Sequence, residues 1–169
     1  MLLNYLFSLV PILLYVVLLT ILDSFSLVRR RAIAVAIIYG ALICGVCYAV
    51  SLYAGDRLWL YPPMEETLKA TAVLYLTANR KIRFFAEALI IGAATGGGFS
   101  LMENIIYLIV LGDVFTPMEA LFRGIATALM HMGLAGLSGV LLLYISSKHT
   151  KKIYGIWGGM PLWLLFVVT

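Results

Sequence analysis

Charged residues, histidines and cysteines are all scarce in this sequence. Of its 169 residues, 8 are acidic, 12 are lysine or arginine, 2 are histidine and 2 are cysteine, whereas 63% are hydrophobic. A water-soluble domain of this length needs far more polar surface, so the composition excludes that class and indicates a polytopic helical membrane protein. No part of the chain is polar enough to form a separate soluble module. We therefore predict one integral membrane domain over residues 1–169, located in the cell membrane.

The two cysteines, Cys44 and Cys47, both lie within the apolar stretch 32–54. Their Cys-x-x-Cys spacing also occurs in redox motifs and in half of some metal sites. In a membrane helix, however, two small and soft side chains three residues apart are more often packing residues. We interpret them as packing residues, and they indicate nothing about a redox compartment.

Apolar runs separated by short polar breaks predict an all-α bundle of six transmembrane helices. The first run is too long for a signal peptide and has no basic residues before it, so it is expected to stay in the protein. The predicted helices lie at about residues 3–22, 32–54, 63–79, 84–111, 118–146 and 153–169.

Basic residues concentrate in alternate loops. Nine of them follow the first, third and fifth runs, and Arg57 alone lies in the opposite loops. By the positive-inside rule, this asymmetry places the N-terminus outside and the three basic loops in the cytoplasm. Such runs fix topology or attract anionic lipid, so we expect a lipid bilayer and no nucleic acid as partner. The nine residues are Arg29, Arg30, Arg31, Arg80, Lys81, Arg83, Lys148, Lys151 and Lys152.

The apolar run 84–112 contains an internal carboxylate, Glu103. A charge well inside such a run costs roughly 2 to 3 kcal/mol or more unless something compensates it. Asn104 adds a second polar side chain, Phe99 lies one turn back on the same face, and three glycines at 96–98 permit close helix packing. We predict that a polar space is enclosed beside this helix.

Two other helices carry unusual polar residues. The third begins with Glu65 and Glu66, either of which can pair with Lys69 at helical spacing. An alternative is that this charged turn is only a capped helix start near the lipid headgroups. The fifth helix carries Arg123 and His131, and a lone histidine on an apolar helix is more often a packing residue than a ligand.

The depths of these residues agree with one another. With the predicted topology and a rise of about 1.5 Å per residue, Glu65 and Glu66 lie a few ångströms below the outer boundary, Arg123 about 7 Å, Glu103 roughly 12 to 14 Å and His131 roughly 18 to 20 Å. Polar residues of three helices therefore converge in the outer half of the membrane, and that convergence favours a functional site.

Two kinds of hydrolysis suit this set of residues. In the first, a buried glutamate is the general base for water, and His131 or Asn104 stabilises the oxyanion. In the second, Glu103 and His131 hold a divalent metal such as zinc, which activates the water. The chain has no Gly-x-Ser-x-Gly, no His-Glu-x-x-His and no phosphate-loop motif, which removes three common alternatives. The residues alone do not decide between the two kinds of hydrolysis.

Three segments over residues 60–145, taken in order, resemble the motifs of PrsW-type intramembrane proteases, within the clan of CAAX prenyl proteases and bacterial immunity proteases. The resemblance implies an endopeptidase that cuts a single-span membrane protein, such as an anti-sigma factor, from the extracytoplasmic side. It implies that Glu65 is the water-activating base and that Glu66 acts beside it. It also implies that Glu103 and His131 are polar partners or ligands of zinc or another divalent metal. Lys69, Phe99, Asn104 and Arg123 are expected to support them. The segments are Glu65-Glu66-x-x-Lys69, Phe99-x-x-x-Glu103-Asn104, and Arg123 followed by His131, Gly136 and Gly139.

The resemblance departs in one respect, because family members commonly carry a further histidine on a last helix and residues 153–169 contain none. Two alternatives to a protease remain from the sequence. The same Glu, Lys and His residues can serve a proton- or cation-coupled transporter. The chain can also be a catalytically inactive scaffold of the family.

Overall fold

In a computed structural model, five helices account for almost all of the described residues, which are 2–23, 27–54, 61–78, 82, 84–111 and 115–148. Each of the five begins and ends within two residues of its prediction. The sixth predicted helix, 153–169, lies outside the described residues. The helices are α1 (Leu2–Leu22), α2 (Arg30–Ala54), α3 (Tyr61–Ala78), α4 (Phe85–Leu111) and α5 (Pro117–Lys148).

Four of these five helices, α1, α2, α4 and α5, are long and apolar enough to cross a membrane. The sequence predicted that α3 would cross it as well, but α3 is not among the four. Its 18 residues include Glu65, Glu66 and Lys69, and this density of charge is unlike that of a lipid-facing span. The structure therefore contains a short polar helix packed among four apolar ones.

Helices α4 and α5 start where side chains bind free backbone N–H groups. Before α5, Thr116 and Glu119 form a reciprocal cap, in which the Glu119 carboxylate accepts from the Thr116 N–H at 2.8 Å and the Thr116 hydroxyl accepts from the Glu119 N–H at 3.3 Å. Before α4, Glu87 accepts from the Phe84 N–H at 2.9 Å. This contact gives Glu87 a structural role at the start of α4.

Helices α1, α3 and α5 begin at the end of the bundle where α2 and α4 finish. The Asn4 side chain, in the first turn of α1, donates to the Phe115 carbonyl just before α5 at 2.7 Å. The Tyr61 hydroxyl, at the start of α3, donates to the Ser51 carbonyl near the end of α2. We call this end of the bundle the upper end. Its placement outside the cell stays a prediction.

Helix α4 lies at the centre and packs against all four other helices. Glycines permit this packing, because a Cβ at Gly98 would lie 1.9 Å from the Ile37 carbonyl oxygen of α2 and one at Gly92 would lie 2.2 Å from the Ala135 oxygen of α5. No side chain fits at such distances. The sequence-based interpretation of the glycines at 96–98 as close-packing residues is confirmed.

Gly96 connects this packing to a predicted site residue. A Cβ added at Gly96 would lie 2.1 Å from the backbone oxygen of His131. We expect Gly96→Ala to push α4 and α5 apart, to lower the free energy of unfolding by about 1 to 3 kcal/mol and to displace His131. Thermal unfolding in detergent measures the first effect. The matched control is Gly133→Ala on α5, since a Cβ there meets no atom within 4 Å. Equal melting temperatures for the two variants would contradict the prediction.

Candidate active site

Five charged or ionisable side chains from α3, α4 and α5 form one continuous chain of contacts. The Lys69 ammonium forms an ion pair with Glu66 and lies 2.9 Å from Nδ1 of His131. Nε2 of His131 lies 3.0 Å from Oε2 of Glu103. The other oxygen of Glu103 lies 3.4 Å from a guanidinium nitrogen of Arg123. The structure thus brings together the residues that the depth estimate predicted to converge.

The contacts of His131 fix the roles of its two ring nitrogens. An ammonium group has only donors, so Nδ1 accepts the hydrogen bond from Lys69. Nε2 then carries the ring hydrogen and donates it to the Glu103 carboxylate. His131 is buried, and these two partners hold its ring at both ends.

Phe99 closes the lower side of this chain. Its ring centroid lies 4.8 Å from that of His131, and the Lys69 nitrogen lies over the same ring at 4.4 Å. Lys69 and Phe99 are each 1% exposed. A cation over an aromatic face is attracted by the ring quadrupole, and more strongly when water is excluded. Because Glu66 and Lys69 are both buried, a solvated helix cap does not describe this part of α3.

Glu65 points into a cavity of about 340 Å³ between α2, α3 and α4. Glu103 and Phe99 line the same cavity, so it adjoins the chain of contacts described above. Among the described residues, none forms a hydrogen bond with the Glu65 carboxylate, whereas both oxygens of Glu103 and one oxygen of the buried Glu66 are bonded. Glu65 is therefore the carboxylate available to a water molecule or ligand in the cavity. The cavity is lined by Cys44, Cys47, Tyr48, Ser51, Tyr61, Pro62, Glu65, Phe99, Glu103, Ile106 and Tyr107.

Arg123 connects α5 to the mouth of the cavity. Its guanidinium carbon lies 3.6 Å from the centroid of Tyr107, a cavity residue, while the same group reaches Glu103. Arginine stacks on aromatic rings and pairs with carboxylates through one planar group, so this position suits it better than lysine. Arg123 therefore supplies positive charge to one oxygen of Glu103, while His131 contacts the other.

Asn104 belongs to a second buried network, next to the first. Its Oδ1 accepts from the Ser8 hydroxyl of α1 at 2.9 Å. Its amide nitrogen donates to the Ser100 carbonyl at 2.9 Å and to the Thr127 hydroxyl at 2.7 Å. Both amide hydrogens are thus used within the protein. Because Thr127 lies one turn before His131, the geometry supports a positioning role for Asn104 over that of an oxyanion donor.

The described side chains do not form a divalent metal site. A catalytic metal usually takes three protein ligands that converge on one point. Within the described part of the chain, no three His, Cys, Asp or Glu side chains form such a group. Glu103 and His131, predicted as ligands, are in contact, but Nδ1 already faces the Lys69 ammonium and Nε2 faces Glu103. Lys69 is the cation that lies between Glu66 and His131.

Sequence reasoning missed several residues that build the site. The cysteines pack in a buried cluster with Ile43 and Phe99, which confirms their interpretation as packing residues, but they also line the cavity. Ser8 was missed, although an isolated serine within the first apolar run was a usable signal. Tyr107 was missed because its contact with Arg123 depends on the rotation of α5 against α4.

Comparison with known proteins agrees with the resemblance inferred from the motifs. The model of one family, PrsW family intramembrane metalloprotease, matches residues 10–168. Neither a curated protein nor a solved structure gave a match. The match and the four apolar helices show a multi-pass integral membrane protein. Since the match covers nearly the whole sequence, the chain belongs to the PrsW family of intramembrane metalloproteases.

Proposed function

We propose that this protein is an endopeptidase that cuts a single-span membrane protein at the cavity beside Glu65. The observation that carries the proposal is the contrast between its carboxylates. Glu66 and Glu103 are held by cations and by His131, whereas Glu65 faces the cavity without a hydrogen-bond partner among the described residues. A general base must reach the water it activates, and Glu65 is placed to do so.

In the proposed reaction, Glu65 takes a proton from a water molecule in the cavity. The water oxygen then forms a bond to the carbonyl carbon of the scissile peptide. When the carbon–nitrogen bond breaks, the proton held by Glu65 passes to the leaving amine. This sequence conserves atoms and charge and leaves Glu65 ionised for the next turnover. Substrate access from the extracytoplasmic side is part of the proposal, because the cavity is near the upper end of the bundle.

The other charged residues set the electrostatic environment of this step. Glu103 also lines the cavity, but it is neutralised by Arg123 and held by the His131 N–H. Lys69 orients His131 through Nδ1 and balances Glu66. These groups are held by one another before substrate binds, so little reorganisation is needed during the reaction.

Cleavage by the reconstituted protein tests the proposal. Proteoliposomes would contain the full chain and a panel of doubly tagged single-span membrane proteins, and mass spectrometry would locate any cut. We expect at least one substrate to be cut, and Glu103→Gln and His131→Ala each to reduce the rate by more than tenfold. Unchanged turnover in both variants would contradict the proposal. Cation flux through the same vesicles without cleavage would support the transporter alternative.

The Lys69 ammonium lies between Glu66 and His131, and this position leads to a prediction about metals. We expect 1,10-phenanthroline to change the cleavage rate by less than twofold, because the described site is built around an ammonium group. We also expect added Zn²⁺ to leave the melting temperature unchanged, since no three described His, Cys, Asp or Glu side chains form a group that could hold it. Loss of activity on chelation, restored by Zn²⁺, would overturn this prediction.

A further inference from the structure

The cavity beside Glu65 is a cleft lined by one stripe of residues on α2, one stripe on α4, and Tyr61, Pro62 and Glu65 of α3. Helices α2 and α4 touch closely lower in the bundle, where a Cβ at Gly40 would lie 1.9 Å from the Thr95 oxygen. A Cβ at Gly98 would meet the Ile37 oxygen at nearly the same level. Above these two contacts a Cβ at Gly45 of α2 meets no atom within 4 Å, and side chains separate the two helices. The α2 stripe is Cys44, Cys47, Tyr48 and Ser51, and the α4 stripe is Phe99, Glu103, Ile106 and Tyr107.

The size of the cleft depends on two small side chains at its base. Cys44 and Cys47 are 4% and 3% exposed, and they pack with Phe99 at the floor. Small residues at both positions leave the space that a larger α2 side chain would occupy. At about 340 Å³, the cavity lies at the low end of the range for ligand pockets, roughly 300 to 1,000 Å³. It suits one side chain with its flanking backbone better than an intact helix.

The lining indicates which kind of side chain fits. Glu65 and Glu103 are on the wall and disfavour an acidic group near them. A basic side chain is also disfavoured, because the floor of Cys44, Cys47 and Phe99 offers it no acceptor and Glu103 already has Arg123 and His131 as partners. A basic group that paired with Glu65 instead would occupy the base of the proposed reaction. The floor and Ile106 are apolar. An uncharged aliphatic or aromatic side chain matches this surface.

We propose that this cleft is the specificity pocket of the enzyme, and that it receives an apolar side chain next to the scissile bond. Cys44 and Cys47 set the size of the side chain that it accepts. The inference rests on the proposed function, since it assumes that the peptide bond beside this side chain is the one that Glu65 helps to hydrolyse. It adds a substrate class and two residues that determine it.

The test is a cleavage profile measured with a library. The probe is a single-span reporter protein whose segment around a cut site is randomised, and mass spectrometry of the products gives the residue preferred on each side of the cut. We expect the wild type to prefer Leu, Ile, Met or Phe at one position over Asp, Glu, Lys or Arg. We expect Cys47→Phe to shift that position toward Ala and Gly by at least tenfold in relative rate, because lost space in an apolar pocket discriminates by about this factor.

Further variants keep the result interpretable. Gly45→Ala, on the same turn of α2, adds a Cβ that meets no atom within 4 Å, and its profile should equal that of the wild type. If Cys47→Phe does not fold, as judged by its melting temperature, Cys44→Met provides the second test in the same direction. A wild-type preference for Lys or Arg, or an unchanged profile in the folded variants, would overturn the specificity pocket while leaving the protease intact. Absence of any cleavage by the wild type would instead remove the proposed function.

Discussion

Glu65→Gln is expected to lower the rate of substrate cleavage by about 10² to 10⁴-fold, the range that a positioned general base contributes. The amide has nearly the same shape as the carboxylate but cannot take a proton from water. Because the Glu65 carboxylate has no hydrogen-bond partner among the described residues, the change breaks no internal contact there. The melting temperature should therefore stay close to that of the wild type while activity is lost. Initial rates on the same single-span reporter, with matched protein amounts, measure the effect.

Two comparisons separate this outcome from a general effect of removing a carboxylate. Glu119→Gln changes a carboxylate in the first turn of α5 that accepts hydrogen bonds from Thr116, and the amide oxygen can still accept them. Its activity should equal that of the wild type. Glu66→Gln removes the charge that faces Lys69, so it should reduce stability as well as activity. If Glu65→Gln keeps full activity and Glu66→Gln loses it without unfolding, the assignment of the base to Glu65 is wrong.

Local patterns were sufficient to predict the five described helices. Four of the runs are long and apolar. The starts of two helices are marked by features with a physical cause, the Thr116–Glu119 cap before α5 and the Pro62-Pro63 pair near the start of α3. Whether α3 crosses the membrane was less predictable from the sequence. Its charges are compensated by His131 and Phe99 on other helices, and compensation across helices is not visible in the sequence of α3 alone.

Depth along each helix was predictable because the rise per residue is constant, and this brought Glu103 and His131 to neighbouring levels. The rotation of one helix against another was not predictable from the sequence. It decides that Glu65 faces the cavity while Glu66 lies beside His131 of α5, although the two glutamates are adjacent in the chain. It also turns Asn104 toward Ser8 and away from the cavity, one residue after Glu103. These rotations depend on contacts between residues far apart in the sequence, such as that of Ser8 with Asn104.

Lys69→Met is expected to have the largest effect on stability. The ammonium is 1% exposed and contacts Glu66, His131 and the Phe99 ring, so its removal leaves Glu66, 5% exposed, without its cation. Breaking a buried ion pair by removing one partner costs about 3 to 5 kcal/mol, because the remaining charge is uncompensated. His131 also loses the donor at Nδ1, so cleavage should fall with stability. Denaturant unfolding in detergent measures the first effect and the reporter assay the second.

The double variant Glu66→Gln with Lys69→Met distinguishes an ion pair from simple loss of packing. Once both charges are gone, no uncompensated charge remains, so the double variant should be more stable than Lys69→Met alone by more than 1 kcal/mol, the scale on which contacting residues fail to be additive. Arg31→Met, an exposed charge at the start of α2, should change stability by less than about 0.5 kcal/mol. If the two site changes add independently, the Lys69 ammonium does not balance Glu66, and the view of this site as one assembled around a lysine would have to be abandoned. If the double variant regains stability while its activity stays low, the Glu66–Lys69 pair stabilises the fold, and Lys69 has a separate role in orienting His131.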